Sequence, residues 1–307
     1  MLENIYNKFF YKEAIWGIGT CKINNLNNTS NLEKNFKQVL SHKDVTDVKA
    51  VFLADPFVIN HNNIWYMFFE ILESKSRKGV IGFATSNDGE QWKYEKVVLK
   101  EKFHLSYPYV FEDNGEIYMI PETGQSGYIK VYKSTNFPYK WECISNIIVG
   151  EYWDSSIFKY DNKWWILSRT SKPKKNSLAL FYSENLLHGW KEHRMSPLII
   201  GDSSKTRPGG RVFVDKDRII RFSQDHSKYY GEKVRAFEIR ELNDDKYDEF
   251  ELGIIINKSD SYKTWNKDGM HTFEINKIKE DEYLLVADGF YYKDINKIVA
   301  KIKNIFM

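Results

Sequence analysis

Cysteine is nearly absent from this 307-residue sequence: Cys21 and Cys143 stand alone, without metal-type spacing. That argues against a disulfide framework or a cysteine-ligated zinc site and suits a reducing compartment. Long apolar runs are missing too, and the segment from Met1 to Ala14 carries Glu3, Lys8, Lys12 and Glu13. Neither a membrane span nor a secretory leader is expected, so the expectation is a cytoplasmic protein, able to sit peripherally at the inner membrane. An excess of one charge is also lacking. Lys and Arg total 45 against 42 Asp and Glu, and a balance of +3 gives no reason to expect a nucleic-acid partner.

Aromatic residues are abundant, at 16% of the chain with 20 Tyr, 20 Phe and 9 Trp. Such side chains favour strands and flat ligand surfaces. A hydrophobic share of 42% can bury a substantial core, and the length suits one large all-β domain over residues 1–307.

Self-similarity organises the chain. A unit recurs about every 50 residues: a polar residue, an apolar strand, a tight polar turn and an aromatic-rich strand, as in propeller blades. Five copies run from Ala54 to Phe69, Ser106 to Pro121, Trp153 to Ser168, Gly210 to Ser223 and Met270 to Ala287. Their turns, His61-Asn62-Asn63, Asp113-Asn114-Gly115, Asp161-Asn162, Asp215-Lys216-Asp217 and Lys279-Glu280-Asp281, supply residues that tight hairpins use. Two further candidate strands follow each hairpin, which predicts a five-bladed β-propeller with four-stranded blades around a central pocket. Trp92, Trp141 and Trp190 recur at one place in the unit and are read as packing residues. The stretch at about residues 15–24 is expected to pair with the last blade and close the ring.

Hairpin register converts the repeat into a site. Asp55 and Glu70, Tyr107 and Glu122, and Asp154 and Arg169 each lie fifteen residues apart around their turns. Each pair is therefore expected to face across the start of an innermost strand and the end of its neighbour. The fifth blade offers His271 and Asp288, and the fourth Arg207, Arg211, Gln224 and Asp225. Asp55, Glu70, Glu122 and Asp154 are the catalytic candidates. His104, Tyr107, Tyr109, Trp153, Arg169, Arg207, Arg211, Gln224, Asp225, His271 and Asp288 are the substrate-binding ones. Convergence of ionisable groups on one concave rim carries the expectation; the competing reading is a polar rim of ordinary strand ends. Arg207-Pro208-Gly209-Gly210-Arg211 is expected to clamp an anion with both arginines.

Four strings carry a family resemblance: Ala54-Asp55-Pro56-Phe57, Trp65 to Glu70, His104-Leu105-Ser106-Tyr107-Pro108-Tyr109-Val110-Phe111-Glu112, and Ile117 to Glu122. With Arg207 to Arg211 and Gln224-Asp225, they resemble the domain at the N-terminus of plant glucosamine inositolphosphorylceramide transferases, found also in bacterial surface-polysaccharide gene products. That family is similar in turn to the five-bladed propellers of glycoside hydrolase family 43. The resemblance implies a propeller fold and a carbohydrate substrate. In those hydrolases an aspartate opening the first blade is the general base, one opening the second tunes proton affinity, and a glutamate opening the third is the general acid. Asp55 matches the first position. Tyr107 and Asp154 stand at the other two, which counts against that hydrolysis unless Glu70 or Glu122 substitutes in space.

The leading expectation is a glycosyltransferase, or a component of one, in surface polysaccharide synthesis. Its partners would be a sugar nucleotide donor, a glycan acceptor and other enzymes of polysaccharide assembly. An inverting glycoside hydrolase and a non-catalytic glycan-binding module are the alternatives. No Asp-x-Asp pair stands in the expected site, so no cofactor is required, with a divalent cation left open.

Overall fold

The computed structural model describes residues 9–26, 31–215 and 218–297. Apart from two short 3-10 turns, Leu32–Lys34 and Gly124–Ser126, its named elements are strands. They form five antiparallel sheets in a ring, the five-bladed propeller expected from the repeat. No helix among the described residues is long and apolar enough to cross a membrane.

The first blade runs outward through Ala50–His61, Ile64–Glu73, Gly79–Ser86 and Lys93–Leu99. The second runs through Ser106–Asp113, Glu116–Glu122, Tyr128–Asn136 and Lys140–Val149. The third has Tyr152–Tyr160, Lys163–Thr170 and Ser177–Ser183, with Lys191–Glu192 and Ile199–Ile200 both pairing on its third strand. In the fourth, the inner strand is split into Arg207–Pro208 and Phe213–Asp215, followed by Arg218–Asp225, Lys233–Leu242 and Tyr247–Ile256. The fifth joins both ends of the chain: Phe273–Lys279 and Glu282–Asn296, then Phe10–Ile23 and Lys37–Leu40. The closing strand thus begins at Phe10, earlier than expected, and Lys37–Leu40 adds a fourth strand from the same end.

Three inner hairpins turn on two residues with positive φ: Asn62 and Asn63, Asn114 and Gly115, Asp161 and Asn162. That conformation matches the twist of the flanking strands, which is why Asn, Asp and Gly recur there. In the expected fourth turn, Lys216 and Asp217 lie outside the described residues.

The core is divided among the blade interfaces. Phe57, Phe68, Phe111, Met119, Ile157 and Ile166 join the first three blades. Phe158, Leu167 and Leu178 meet Val212, Ile219 and Ile239 between the third and fourth, and Phe222 and Val234 meet Phe273 and Leu285 between the fourth and fifth. The ring closes where Ile18, Leu284 and Val286 pack on Leu53, Met67 and Phe69. Strands covered on both faces must be apolar on both faces, as their sequences are. Trp92, Trp141 and Trp190 are the expected packing residues: each indole N–H donates to a backbone carbonyl in the preceding turn, at 3.0, 2.9 and 2.9 Å.

One feature of the inner strands differs from simple hairpin register. Glu70 pairs with Ala54 rather than Asp55, Glu122 with Ser106 rather than Tyr107, and Arg169 with Trp153 rather than Asp154. Asp55, Tyr107 and Asp154 instead occupy a bulge at the same place in three blades, with φ of 53°, 48° and 55°. A bulge adds an unpaired residue and re-aims its side chain. Here it turns three residues toward the axis of the ring, at a cost of about 1–2 kcal/mol each for a left-handed non-glycine.

Candidate active site

Asp55 enters the channel from its bulge with both carboxylate oxygens held. Thr272 donates its hydroxyl to Oδ1 at 2.8 Å, and the Tyr107 N–H donates to Oδ2 at 3.3 Å. The His271 Nε2 lies 3.7 Å from Oδ1. Burial pushes Asp55 up to about 6; His271 opposes the shift, while Asp154 and Asp288 add to it. Asp55 is thus largely ionised at neutral pH yet retains a useful affinity for a proton.

Asp288 fixes the histidine. It is fully buried, and its Oδ1 accepts from the backbone N–H groups of His271 and Thr272 at 3.0 and 2.9 Å. Its Oδ2 accepts from the Asp55 N–H at 2.9 Å and lies 2.7 Å from His271 Nδ1. The imidazole stacks on Trp16, centroids 4.1 Å apart, and its Nε2 faces the Tyr230 hydroxyl at 3.1 Å. Burial alone would lower the proton affinity of His271, but the Asp288 charge and hydrogen bond outweigh it and the net shift is upward. Asp55, His271 and Asp288 bring one donor atom each within 4.8 Å of one another, a spacing a cation could use. Asp288 already serves four N–H groups, however, so the set reads more naturally as a hydrogen-bonded clasp between the first and fifth blades.

Across the channel, the Arg207 Nε donates to Asp154 Oδ2, which also accepts from Gln224 Nε2 at 2.7 Å. Burial disfavours the guanidinium charge, yet Asp154 more than compensates and raises its proton affinity. Among the described residues, the terminal nitrogens of Arg207 have no hydrogen-bond partner, and its side chain keeps 19% exposure. The ring of Tyr230 lies 5.2 Å from this guanidinium at the solvent side of the site. Arg169 stands near, over the Trp153 indole at 5.1 Å, and its proton affinity is lowered by burial and by the Arg207 charge. His226, hydrogen-bonded to Gln224 at 2.9 Å, is driven down to about 2 by burial, Arg207 and His271, so it is neutral.

The first and second blades supply the acidic side. His104 Nδ1 accepts from the Gly79 N–H at 2.8 Å, which leaves the proton on Nε2, 3.4 Å from Glu70 Oε1. Burial lowers the proton affinity of His104, in keeping with that neutral form. Glu70 is raised well above an ordinary glutamate by burial and then by the charges of Asp55, Glu122 and Asp154. Glu122 is pushed up to about 7 by burial and Asp154, against the Gly124 N–H that donates to it at 2.6 Å.

Four expected site residues point elsewhere. Tyr107 is fully buried, its hydroxyl accepting from the Gly210 N–H at 2.6 Å and lying 2.9 Å from Ser156 Oγ. It plugs the channel instead of presenting a stacking surface. Arg211 runs the opposite way from Arg207: Nε donates to Glu274, and the terminal group donates to the carbonyls of Val58 and Val110 at 3.2 and 2.7 Å. Tyr109 packs beneath it, 4.7 Å from the guanidinium. Both line a cavity of about 500 Å³ at the hairpin end of the channel, beside Asn60 and Asp113. The two arginines of one loop therefore cannot clamp one anion; Arg169 is the guanidinium that shares the site with Arg207. Asp225 turns into its own blade, where Arg235 and the Ser227 N–H bond it at 2.8 and 2.9 Å.

Residues 22–290 match the family of N-terminal domains of glucosamine inositolphosphorylceramide transferase 1. The chain belongs to this family. It is 33% identical over 245 residues to glucosamine inositolphosphorylceramide transferase 1 of Arabidopsis thaliana, covering 78% of this chain and 32% of that protein. The protein of the same name from Oryza sativa subsp. japonica is likewise 33% identical over 245 residues, with 78% of this chain and 33% of that protein covered. The chain thus spans about a third of the length of these curated relatives. In fold it is similar to a putative glycosidase from Bacteroides thetaiotaomicron, with a TM-score of 0.59 at 12% identity over 85% of this chain and 92% of that one. It is similar also to an exo-β-1,3-galactanase from Clostridium thermocellum, with a TM-score of 0.56 at 13% identity, covering 70% and 53% of the two chains. A glycoside hydrolase family 43 protein from Bacillus licheniformis gives 0.52 at 14% identity, covering 70% and 47%.

In this member of the transferase N-terminal family, then, the acidic groups at the channel mouth come from two different places. Asp55 and Asp154 occupy bulges on inner strands, whereas Glu70 lies near the end of its second strand and Glu122 closes its own. Thr272, Tyr230, Trp16 and His226 also belong to the site, and reading by hairpin offset missed them. Thr272 follows His271, and Trp16 lies on the closing strand two residues before Ile18, which pairs with Asp288. Only Tyr230 and His226, on a loop after Asp225, left no positional signal.

The raised Glu122 carboxyl makes stability depend on pH. Its folded pKa of about 7 exceeds the unfolded value of about 4.3, so the folded state holds this proton more tightly. The contribution is fully present below about pH 4 and is lost as pH rises to about 7. The melting temperature of Glu122→Gln, compared with the parent, should therefore gain steadily from pH 4.5 to 7.5. A difference that stays flat over that range would mean that Glu122 is ionised throughout.

Proposed function

We propose that this domain binds an activated sugar at its central pocket and takes part in transferring it to an acceptor hydroxyl during surface glycan assembly. One observation carries the reading: a positioned base, Asp55, shares the site with Arg207, whose outer guanidinium edge is unused among the described residues. In the reaction, Asp55 accepts the proton of the acceptor hydroxyl as its oxygen attacks the anomeric carbon. The bond from that carbon to the donor phosphate breaks, and the electron pair leaves with the phosphate. Arg207 and Arg169 stabilise the charge gained there. The name of the relatives includes glucosamine, and Glu70 and Glu122 have no Lys or Arg partner among the described residues. Both facts favour a sugar carrying a free amine.

Incubating the protein with a panel of nucleotide sugars and simple glycan acceptors, and measuring nucleotide release and melting shifts, tests the proposal directly. Replacing Arg207 by alanine removes a charge-assisted contact, so affinity for a nucleotide sugar should fall on the order of tenfold or more. Affinity for the matching neutral methyl glycoside should fall much less. Equal losses for both ligands would remove the phosphate from the account.

Inverting hydrolysis is the second reading, and it has its own support. Glu122 near 7 and Asp55 near 6 are two carboxyls of which one can stay protonated while the other is ionised. Release of reducing sugar from a glycoside, with no response to any nucleotide sugar, would decide for it.

A further inference from the structure

Beside the central pocket, a second hollow of about 390 Å³ opens between the second and third blades. Tyr152 and Trp153 form its aromatic wall, Thr170 and Lys172 its polar edge, and the remaining side holds Gly150, covered by the Tyr152 ring, and Gly127. The last two are joined by a hydrogen bond from the Gly150 N–H to the Gly127 carbonyl at 2.8 Å. A side chain at Gly127 would meet no atom within 4 Å, so the space beside it is open.

The hollow adjoins the acidic side of the main site. At Gly124, a Cβ would lie 2.8 Å from Glu122 Oε1 and 3.4 Å from the Trp153 indole nitrogen. Glu122 and Trp153 thus flank one bare glycine. The indoles of Trp92, Trp141, Trp165 and Trp190 donate to backbone carbonyls at 2.9 to 3.1 Å. The Trp153 N–H has no such acceptor among the described residues, although its ring is anchored by Arg169. A pinned aromatic face with a spare donor and a nearby hydroxyl suits a pyranose ring, which offers C–H groups to the face and oxygens to the donors.

We propose that this hollow is a subsite for the second sugar residue of a saccharide whose first residue occupies the central pocket. The inference rests on the reading of that pocket as a sugar site. Its position beside Glu122 sets the second ring against the acidic side of the central pocket.

Calorimetric titration with matched pairs tests it: methyl glucoside and methyl cellobioside, methyl glucosaminide and methyl chitobioside, methyl mannoside and methyl α-1,2-mannobioside. In at least one pair the disaccharide should bind about tenfold tighter, equivalent to roughly 1.4 kcal/mol. Trp153→Ala should bring that ratio close to one, and Trp153→Phe, which keeps a stacking face but no N–H donor, should leave it intermediate. The second variant also guards against a folding defect in the first. If monosaccharides bind and no disaccharide gains, the subsite is wrong while the central site stands. A ratio unchanged in Trp153→Ala places the second ring elsewhere and also overturns the proposal. If no saccharide of either length binds, and no nucleotide sugar does, the reading of the central pocket fails and takes the subsite with it.

Discussion

Asp55→Asn should reduce turnover by a factor of at least about 100, with little change in melting temperature. Asparagine is among the few residues that accept the left-handed backbone found here, φ 53°, at modest cost. Its amide oxygen can still take the hydrogen bond from Thr272, so the bulge should survive. What disappears is the affinity for a proton, which burial, opposed by His271 and assisted by Asp154 and Asp288, has set to about 6. The measurement is nucleotide release on whichever donor the panel identifies, alongside a thermal melt and a donor titration. Retained binding with lost turnover would assign Asp55 to the chemical step. Full activity in a folded variant would make it a structural residue of the bulge.

The largest loss of stability should come from Gly210→Ala. This glycine has φ 138°, and a Cβ would lie 1.8 Å from the Phe273 carbonyl oxygen and 2.8 Å from its carbonyl carbon. Both obstacles are backbone of the fifth blade, so no side-chain rotation relieves them. Gly210 also donates its N–H to the Tyr107 hydroxyl, and its carbonyl accepts from the Ser156 hydroxyl at 2.8 Å. It is where the second, third, fourth and fifth blades meet on the axis. A loss of about 4 kcal/mol or more is expected, which for a chain of this size is roughly 6 °C or more in melting temperature. Gly115→Ala is the control: its φ is 78°, but its Cβ would meet nothing within 4 Å, so the cost should be about 1 kcal/mol. Similar melts for the two variants would contradict close packing at the axis.

Gly210 also explains why Arg207-Pro208-Gly209-Gly210-Arg211 misled as a local motif. As a string it suggests two cations side by side on a stiff loop. In the fold the two glycines let the chain pass through the crowded axis, so the flanking arginines emerge at opposite ends of the channel. One meets Asp154 and the other Glu274. Proximity along the chain gave the wrong pair; Arg169, remote in sequence, is the companion of Arg207.

The blades themselves were legible because their signals are local. Two-residue turns of Asn, Asp and Gly, strands apolar on both faces, and tryptophans stapling the outer turns all act within one repeat. Asp55, Glu70, Glu122, Asp154, Arg169, Arg207, Gln224, His271 and Asp288 lie at one end of the ring, since distance from a turn sets height along a strand. The same arithmetic could not see the bulges, which shift the register by one residue and decide which side chain faces the axis.

By itself, then, the sequence determined that the chain would form five similar sheets and that their polar strand ends would share a level, because both follow from spacing within a repeat. Tertiary structure alone decided which of those polar groups meet. Asp225 and Arg211 were drawn away by partners in their own surroundings, Tyr107 became a plug, and Trp16 and Tyr230 joined from the closing strand and an unremarked loop. Charge pairing and burial depend on distances between blades, and those are set only when the ring is closed.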